Sequence, residues 1–157
     1  MSIIVGQPAP DFTLPDNEKN KVTLSAQQGK NVLLLFYPLA FTSTCTKELC
    51  SMRDNIAIYN NLNAQVYGIS VDSLFVQDKF KKEQNLNFPL LSDFNKTVSR
   101  AYGSIYEHWF NDMEGVSKRS AFVIDKEGIV RYAEVLENAT EIPNFEAIQT
   151  CLKEINH

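Results

Sequence analysis

The sequence predicts an α/β fold, a central mixed β-sheet flanked by helices, and three observations carry that prediction. The run Asn31 to Tyr37 (NVLLLFY) is continuously apolar after its first residue and is ended by Pro38. That is how a strand buried on both faces reads, and such strands belong to parallel sheets covered by helices. Strand-like and helix-like segments then alternate along the chain, the order that builds strand–helix–strand units. Finally, Ser120 to Asp125 (SAFVID) and Ile129 to Glu134 (IVRYAE) are joined by Lys126-Glu127-Gly128. The pair reads as a β-hairpin and makes the sheet mixed.

The individual elements follow in order. Residues 6 to 17 are rich in Pro and Asp and predict an extended, turning start. Val22 to Leu24 predicts a short strand. After the apolar run, Thr42, Ser43 and Thr44 are all suited to cap a helix. Cys45, Leu49, Met52, Ile56 and Tyr59 then recur at helical spacing and give one apolar stripe. Gln65 to Val71 (QVYGISV) predicts the second long strand. Asp72 or Ser73 caps a helix to about Asn85, Phe88 to Leu91 is a short strand, and Asn95 to Tyr102 a short helix. Residues 103 to 119 are expected to be irregular and polar. Phe145, Ile148, Leu152 and Ile155 mark a closing amphipathic helix. This order fits a thioredoxin-like layout, although the pattern alone does not select that fold.

A chain of 157 residues with no repeat, linker or low-complexity stretch is expected to form one domain over residues 1–157. A domain of that size buries roughly 70% of its unfolded surface and needs no metal or disulfide to fold. The net charge is −4, so the basic face that nucleic-acid binding needs is missing. The short cluster Lys79, Lys81 and Lys82 reads as a solvated helix face. The start of the chain has no basic and apolar leader pattern, and the run from Val32 to Tyr37 is too short to span a bilayer. A cytoplasmic protein without membrane or nucleic-acid partners is the expectation. In that compartment cysteines tend to be catalytic, metal-binding or inert rather than structural disulfides. The three cysteines and two histidines lack paired zinc-ligand spacing, and nothing in the sequence calls for a cofactor.

The segment that carries chemistry is Tyr37 to Cys50, YPLAFTSTCTKELC. It lies where a buried strand hands over to a helix, and in open α/β sheets sites form beyond the carboxyl ends of strands. Cys45 falls in the first turn of that helix. The thiolate is the reactive form, and a free thiol of pKa about 8.5 is only slightly ionised at neutral pH. Lowering that pKa to about 6 requires roughly 3.4 kcal/mol of preferential stabilisation of the anion. Unpaired N–H groups and the helix dipole supply about 1 kcal/mol. A second donor is needed, for which an arginine is best suited; a lysine or histidine could serve, but nothing in the sequence ties His108 to Cys45. The alternative for Cys45 is a buried small apolar residue within the stripe.

Cys50 is five residues on. In a regular helix the two Cα atoms lie roughly 8.7 Å apart, beyond the span of about 7 Å that a disulfide tolerates. The two cysteines can bridge only if the helix start unwinds. Cys50 is off the apolar stripe and is otherwise an incidental thiol. Cys151, on the margin of the closing stripe, reads as a core residue.

The string resembles the peroxiredoxin signature Pro-x3-Thr/Ser-x2-Cys, matched by Pro38, Thr42 and Cys45, with Thr46 and Glu48 continuing it. Arg119 in RSAFVID matches the placement of the family's distal arginine, and GQPAPDFTL, YGISVDS and FPLLSD extend the similarity over nearly the whole chain. The resemblance implies a thioredoxin-like fold and a peroxidase in which the Cys45 thiolate attacks hydrogen peroxide or an organic hydroperoxide. Thr42 and Arg119 would hold the thiolate and polarise the peroxide, and Pro38 would shield the sulfur. Such a displacement gains most from preorganised donors aimed at the leaving oxygen, and Arg119 offers a planar fork that stays charged.

Two branches of the family are similar. Cys50 lies where the bacterioferritin-comigratory-protein (peroxiredoxin Q) branch has its resolving cysteine. That reading implies a Cys45–Cys50 disulfide recycled by a thioredoxin-like dithiol protein, in a monomer or homodimer. Pro38-Leu39-Ala40-Phe41-Thr42 instead looks like the alkyl hydroperoxide reductase E branch, often one-cysteine and served by an external thiol. Outside the family, a thiol–disulfide oxidoreductase wants Cys-x2-Cys where this chain has Cys-x4-Cys. A binding domain on the same fold predicts an ordinary Cys45 pKa.

Overall fold

The apolar run becomes the centre of the sheet. A computed structural model describes residues 3–156. In chain order its elements are β1 (Thr13–Pro15), β2 (Lys21–Thr23), a 3₁₀ turn (Leu24–Gln27), β3 (Asn31–Phe36), α1 (Ser43–Asp54), α2 (Ile56–Asn61) and β4 (Ala64–Ser70). There follow α3 (Leu74–Gln84), β5 (Leu90–Ser92), α4 (Thr97–Ala101) and β6 (Ile105–Tyr106). After a 3₁₀ turn (Phe110–Asp112) come β7 (Val116–Ser117), β8 (Ser120–Ile124), β9 (Val130–Val135) and α5 (Phe145–Ile155).

The main sheet has the order β5-β4-β3-β8-β9. β3, β4 and β5 are parallel, and β8 and β9 join antiparallel. Every residue of β3 is buried, as expected for the middle strand of a sheet covered on both sides. Its side chains alternate between two cores. Leu33 and Leu35 face Leu49, Met52, Phe80, Ile148 and Leu152, from α1, α3 and α5. Val32, Leu34 and Phe36 face Leu14, Val98 and Tyr102, from β1, α4 and its end. Each fully buried Leu or Phe contributes about 1.5–3 kcal/mol relative to exposure. This is a mixed α/β architecture of the thioredoxin-like kind.

The fold differs from several of the sequence expectations. The stripe from Cys45 to Tyr59 is two helices. Asn55 sits at φ −116° and ψ 14° and its side-chain amide donates to the Ser51 carbonyl at 2.8 Å, a local bond that competes with the helical ladder. Of the two candidate caps for α3, Ser73 takes the role, its hydroxyl accepting from Val76 N–H at 3.2 Å, while Asp72 points elsewhere. Residues 103–119 are not wholly irregular: β6 and β7 pair into a two-stranded ribbon. That ribbon holds Tyr106 stacked on Trp109, with centroids 6.3 Å apart. The Lys79, Lys81, Lys82 face is solvated, with Lys82 paired to Asp78 at 2.7 Å. Among the described residues no helix is long and apolar enough to cross a membrane.

Candidate active site

Register brings the two halves of the site together. β3 ends at Phe36, and its partner on the antiparallel side is Ser120, the first residue of β8. Arg119 therefore lies opposite the point where the chain leaves β3 for the loop through Thr42 and the start of α1. The two segments are 74 residues apart in the sequence and adjacent in space.

Cys45 occupies the first turn of α1, with Thr42 as the residue before the helix. Thr42 does not cap with its side chain: its hydroxyl donates to the Leu39 carbonyl at 2.9 Å. Cys45 is fully buried. Arg119, 1% exposed, reaches it with Nη2, which donates to Cys45 Sγ at 3.2 Å. Two more of its five N–H groups are also used. Nη1 donates to Glu48 Oε1 at 2.7 Å, and Nε donates to the Ala139 carbonyl at 2.9 Å. The guanidinium is held on three sides, which a lysine could not reproduce.

Glu48 is the site residue whose part sequence reasoning missed. It stands three residues after Cys45, hence on the same side of the helix, and it is fully buried. The available signal was a charged residue within an apolar stripe. Burial pushes its pKa up, to about 7, against the pull of Arg119. Burial also opposes the Arg119 charge, but Glu48 and Cys45 outweigh it and raise its pKa.

Cys45 differs from the expectation of a lowered pKa. Burial pushes its thiol up, while the Arg119 charge, Thr42 and the Leu39 backbone pull it down and do not prevail. The helix terminus and arginine are present as expected. In this geometry the sulfur is shut away from water, and desolvation of the anion is the larger effect.

An open cleft lies over the buried sulfur. Its floor is Thr42, Ser43, Thr44 and Arg119, and its walls are Trp109 and Phe110 with residues 137–140. The aromatic wall was not anticipated from the sequence, where Trp109 and Phe110 stand inside a segment read as irregular. Pro38 is buried at the end of β3 and is not among the residues lining the cleft. His108 points outward and meets Glu114 at 3.3 Å.

The other two cysteines are not brought to the site. Cys50 is half-buried, its thiol donating to Gln84 Oε1 at 3.5 Å. Cys151 lies at the edge of the core, its thiol directed at the Arg131 carbonyl at 3.6 Å. All three are free thiols.

The sequence profile of the AhpC/TSA family matches residues 5–133. Alkyl hydroperoxide reductase E of Mycobacterium bovis is 42% identical over 134 residues, covering 83% of this chain and 84% of its own. A putative bcp peroxiredoxin of Coxiella burnetii is 42% identical over 132 residues, covering 83% and 87%. The crystal structure of peroxidoxin BcpB from Mycobacterium tuberculosis superposes with a TM-score of 0.84 at 32% identity, covering 96% of this chain and 97% of that one. A thiol buried at a helix start under a fixed arginine, on a chain matched along most of its length, thus belongs to a member of the AhpC/TSA family, a peroxiredoxin.

Proposed function

We propose that this peroxiredoxin reduces hydrogen peroxide and organic hydroperoxides with Cys45 as the attacking thiolate. The observation that carries the reading is the Arg119 Nη2 contact with Cys45 Sγ at 3.2 Å, at the mouth of a helix and beneath the cleft. The sulfur attacks one peroxide oxygen, the O–O bond breaks, and the departing oxygen takes up a proton to leave as water or an alcohol. Sulfur is oxidised to the sulfenic acid and the peroxide is reduced. Arg119 supplies fixed donors for the charge that develops on the leaving oxygen, while Thr42 Oγ1, whose proton is given to the Leu39 carbonyl, offers a lone pair to the peroxide O–H. The apolar wall of Trp109 and Phe110 suits an organic tail.

In the second half of the cycle, Cys50 attacks the sulfenic sulfur, hydroxide leaves as water, and a Cys45–Cys50 disulfide forms. A thioredoxin-like dithiol protein then reduces it. Such a bridge protects Cys45 from the irreversible steps of sulfur oxidation. The second reading is a one-cysteine enzyme with an external thiol, favoured by the engagement of Cys50 with Gln84 on α3. Cys45 and its surroundings serve either reading, and the expected compartment is the cytoplasm.

The test is stopped-flow oxidation of the reduced protein by hydrogen peroxide and by cumene hydroperoxide, with peptide mapping after one equivalent. Peroxide reduction should vanish in Cys45→Ser, because a hydroxyl is hardly ionised, and the wild type should yield an intrachain Cys45–Cys50 peptide. A few per cent of wild-type rate in Cys45→Ser rejects the nucleophile. Stable sulfenic acid, or a bridge to Cys151 or another chain, moves the assignment to the one-cysteine route.

A further inference from the structure

The loop between β3 and α1 is held in a strained shape by the adjoining β4–α3 unit. Phe41 has φ 69°, the left-handed region that disfavours any residue with a Cβ, and a bulky one persists there only where its surroundings impose it. Two contacts do so. The Phe41 ring packs edge-on against Phe80 of α3, with centroids 5.0 Å apart. One residue earlier, Ala40 N–H donates to Asp72 Oδ2 at 2.8 Å.

Asp72 follows the carboxyl end of β4 and is itself fixed. The Ser70 hydroxyl donates to the same Oδ2 at 2.6 Å. Gln77, fully buried, donates through Nε2 to Ser70 Oγ at 3.0 Å and to the Leu91 carbonyl at 2.8 Å. The Ser92 hydroxyl donates to the Asp72 carbonyl at 2.6 Å. None of the ion pairs among the described residues includes Asp72, so its carboxylate serves neutral donors. Burial pushes its pKa up, against Ser70 and Ala40.

The consequence for the site runs through one peptide plane. Ala40 N–H and the Leu39 carbonyl are opposite ends of the same planar trans unit. The Leu39 carbonyl accepts the Thr42 hydroxyl at 2.9 Å. Holding the N–H end in Asp72 therefore sets the direction of the carbonyl that orients Thr42.

We propose that Asp72 is a positioning residue of the peroxide-reducing site: it locks the Leu39–Ala40 peptide and thereby aims the Thr42 hydroxyl beside Cys45. The inference rests on the peroxidatic reading of Cys45. It is distinct from the Arg119–Glu48 arrangement, because it reaches the site from β4 rather than from β8.

The test compares two reactions of Cys45 in the full chain. Peroxide reduction needs Thr42 in place, whereas alkylation by iodoacetamide needs only the thiolate, so both rates are taken from full pH profiles at the plateau where Cys45 is ionised in each protein. In Asp72→Ala the second-order rate with hydrogen peroxide should fall at least tenfold, while alkylation stays within threefold of wild type. Asp72→Asn keeps an acceptor oxygen for Ala40 N–H and should recover peroxide reduction to within threefold. Should Asp72→Ala fail to fold, Asp72→Glu, with the carboxylate displaced by one methylene, is held to the same criterion. A peroxide rate within twofold of wild type, a parallel fall of both reactions, or an Asp72→Asn as slow as Asp72→Ala overturns the inference. A wild-type protein that reduces neither peroxide removes the reading beneath it, and the inference with it. A working wild type beside an equally fast Asp72→Ala removes the inference alone.

Discussion

Arg119 shows what one side chain contributes when three partners hold it. Its fork meets Cys45, Glu48 and the Ala139 carbonyl together. Arg119→Lys preserves a charge but offers a single ammonium to three sites, and buried Glu48 loses its close partner. The rate of the reduced protein with hydrogen peroxide should drop at least a hundredfold, as followed by fluorescence of Trp109, the chain's one tryptophan; an unchanged rate would reduce Arg119 to a structural ion pair. Glu48 gives a pH signature. Its pKa rises from 4.5 to about 7 on folding, so the folded state binds the proton more tightly than the unfolded chain. The stability linked to that proton is fully present below pH 4.5 and is lost as pH rises through 7. Relative to Glu48→Gln, which cannot ionise, the wild type should lose roughly 1–3 kcal/mol between pH 4.5 and pH 8. Urea unfolding of both proteins at the two pH values measures it, and parallel pH curves would refute the buried-ionisation account.

At the scale of elements, α1 has a conflict to resolve if Cys45 and Cys50 are to meet. A span of roughly 8.7 Å between Cα atoms five apart in a helix exceeds what a disulfide allows. The second half of α1 is tied to α3, since Cys50 donates to Gln84 Oε1 and Arg53 Nη1 donates to the Gln84 carbonyl. The first turn has less to lose. Thr42 makes no side-chain cap, and the Thr46 hydroxyl donates to the Thr42 carbonyl at 2.8 Å, competing with the helical ladder. Unwinding should therefore start at the N-terminal end. Oxidised protein is expected to show amide exchange at least tenfold faster over residues 42–52 than reduced protein, with β3 and β4 unchanged. Uniform protection of α1 in both forms would contradict intrachain resolution.

At the scale of the whole molecule, position in the two-sided core separates Cys45, beside the Arg119 fork, from Cys151. Cys151 sits at the rim where α5 covers the sheet, on the same core as Cys45 but served by no arginine fork. Burial pushes its pKa up, with Glu154 adding to the rise and the Arg131 charge opposing it without prevailing. Cys151→Ala should lower stability by about 1 kcal/mol and leave the peroxide rate and reductive turnover unchanged. Loss of reductive turnover with Cys50→Ser still active would assign resolution to Cys151 instead.

The periodic parts of the sequence were legible because burial leaves a pattern along the chain. NVLLLFY became the central strand, SAFVID and IVRYAE became the hairpin, and the spacing of Phe145, Ile148, Leu152 and Ile155 became α5. The strand-to-helix turn also identified the region of Cys45, since a helix start is a local feature. Tertiary structure decided what depends on residues distant in the chain. The Phe36–Ser120 register set Arg119 against Cys45, and the ribbon of β6 and β7 turned Trp109 and Phe110 into a wall. Asp72 was drawn from capping its own helix to the Ala40 N–H, 32 residues away. The direction of the Cys45 pKa was decided there too. A local reading sees the helix dipole and a nearby cation, but desolvation depends on everything packed around the sulfur, and that exists only once the chain has folded.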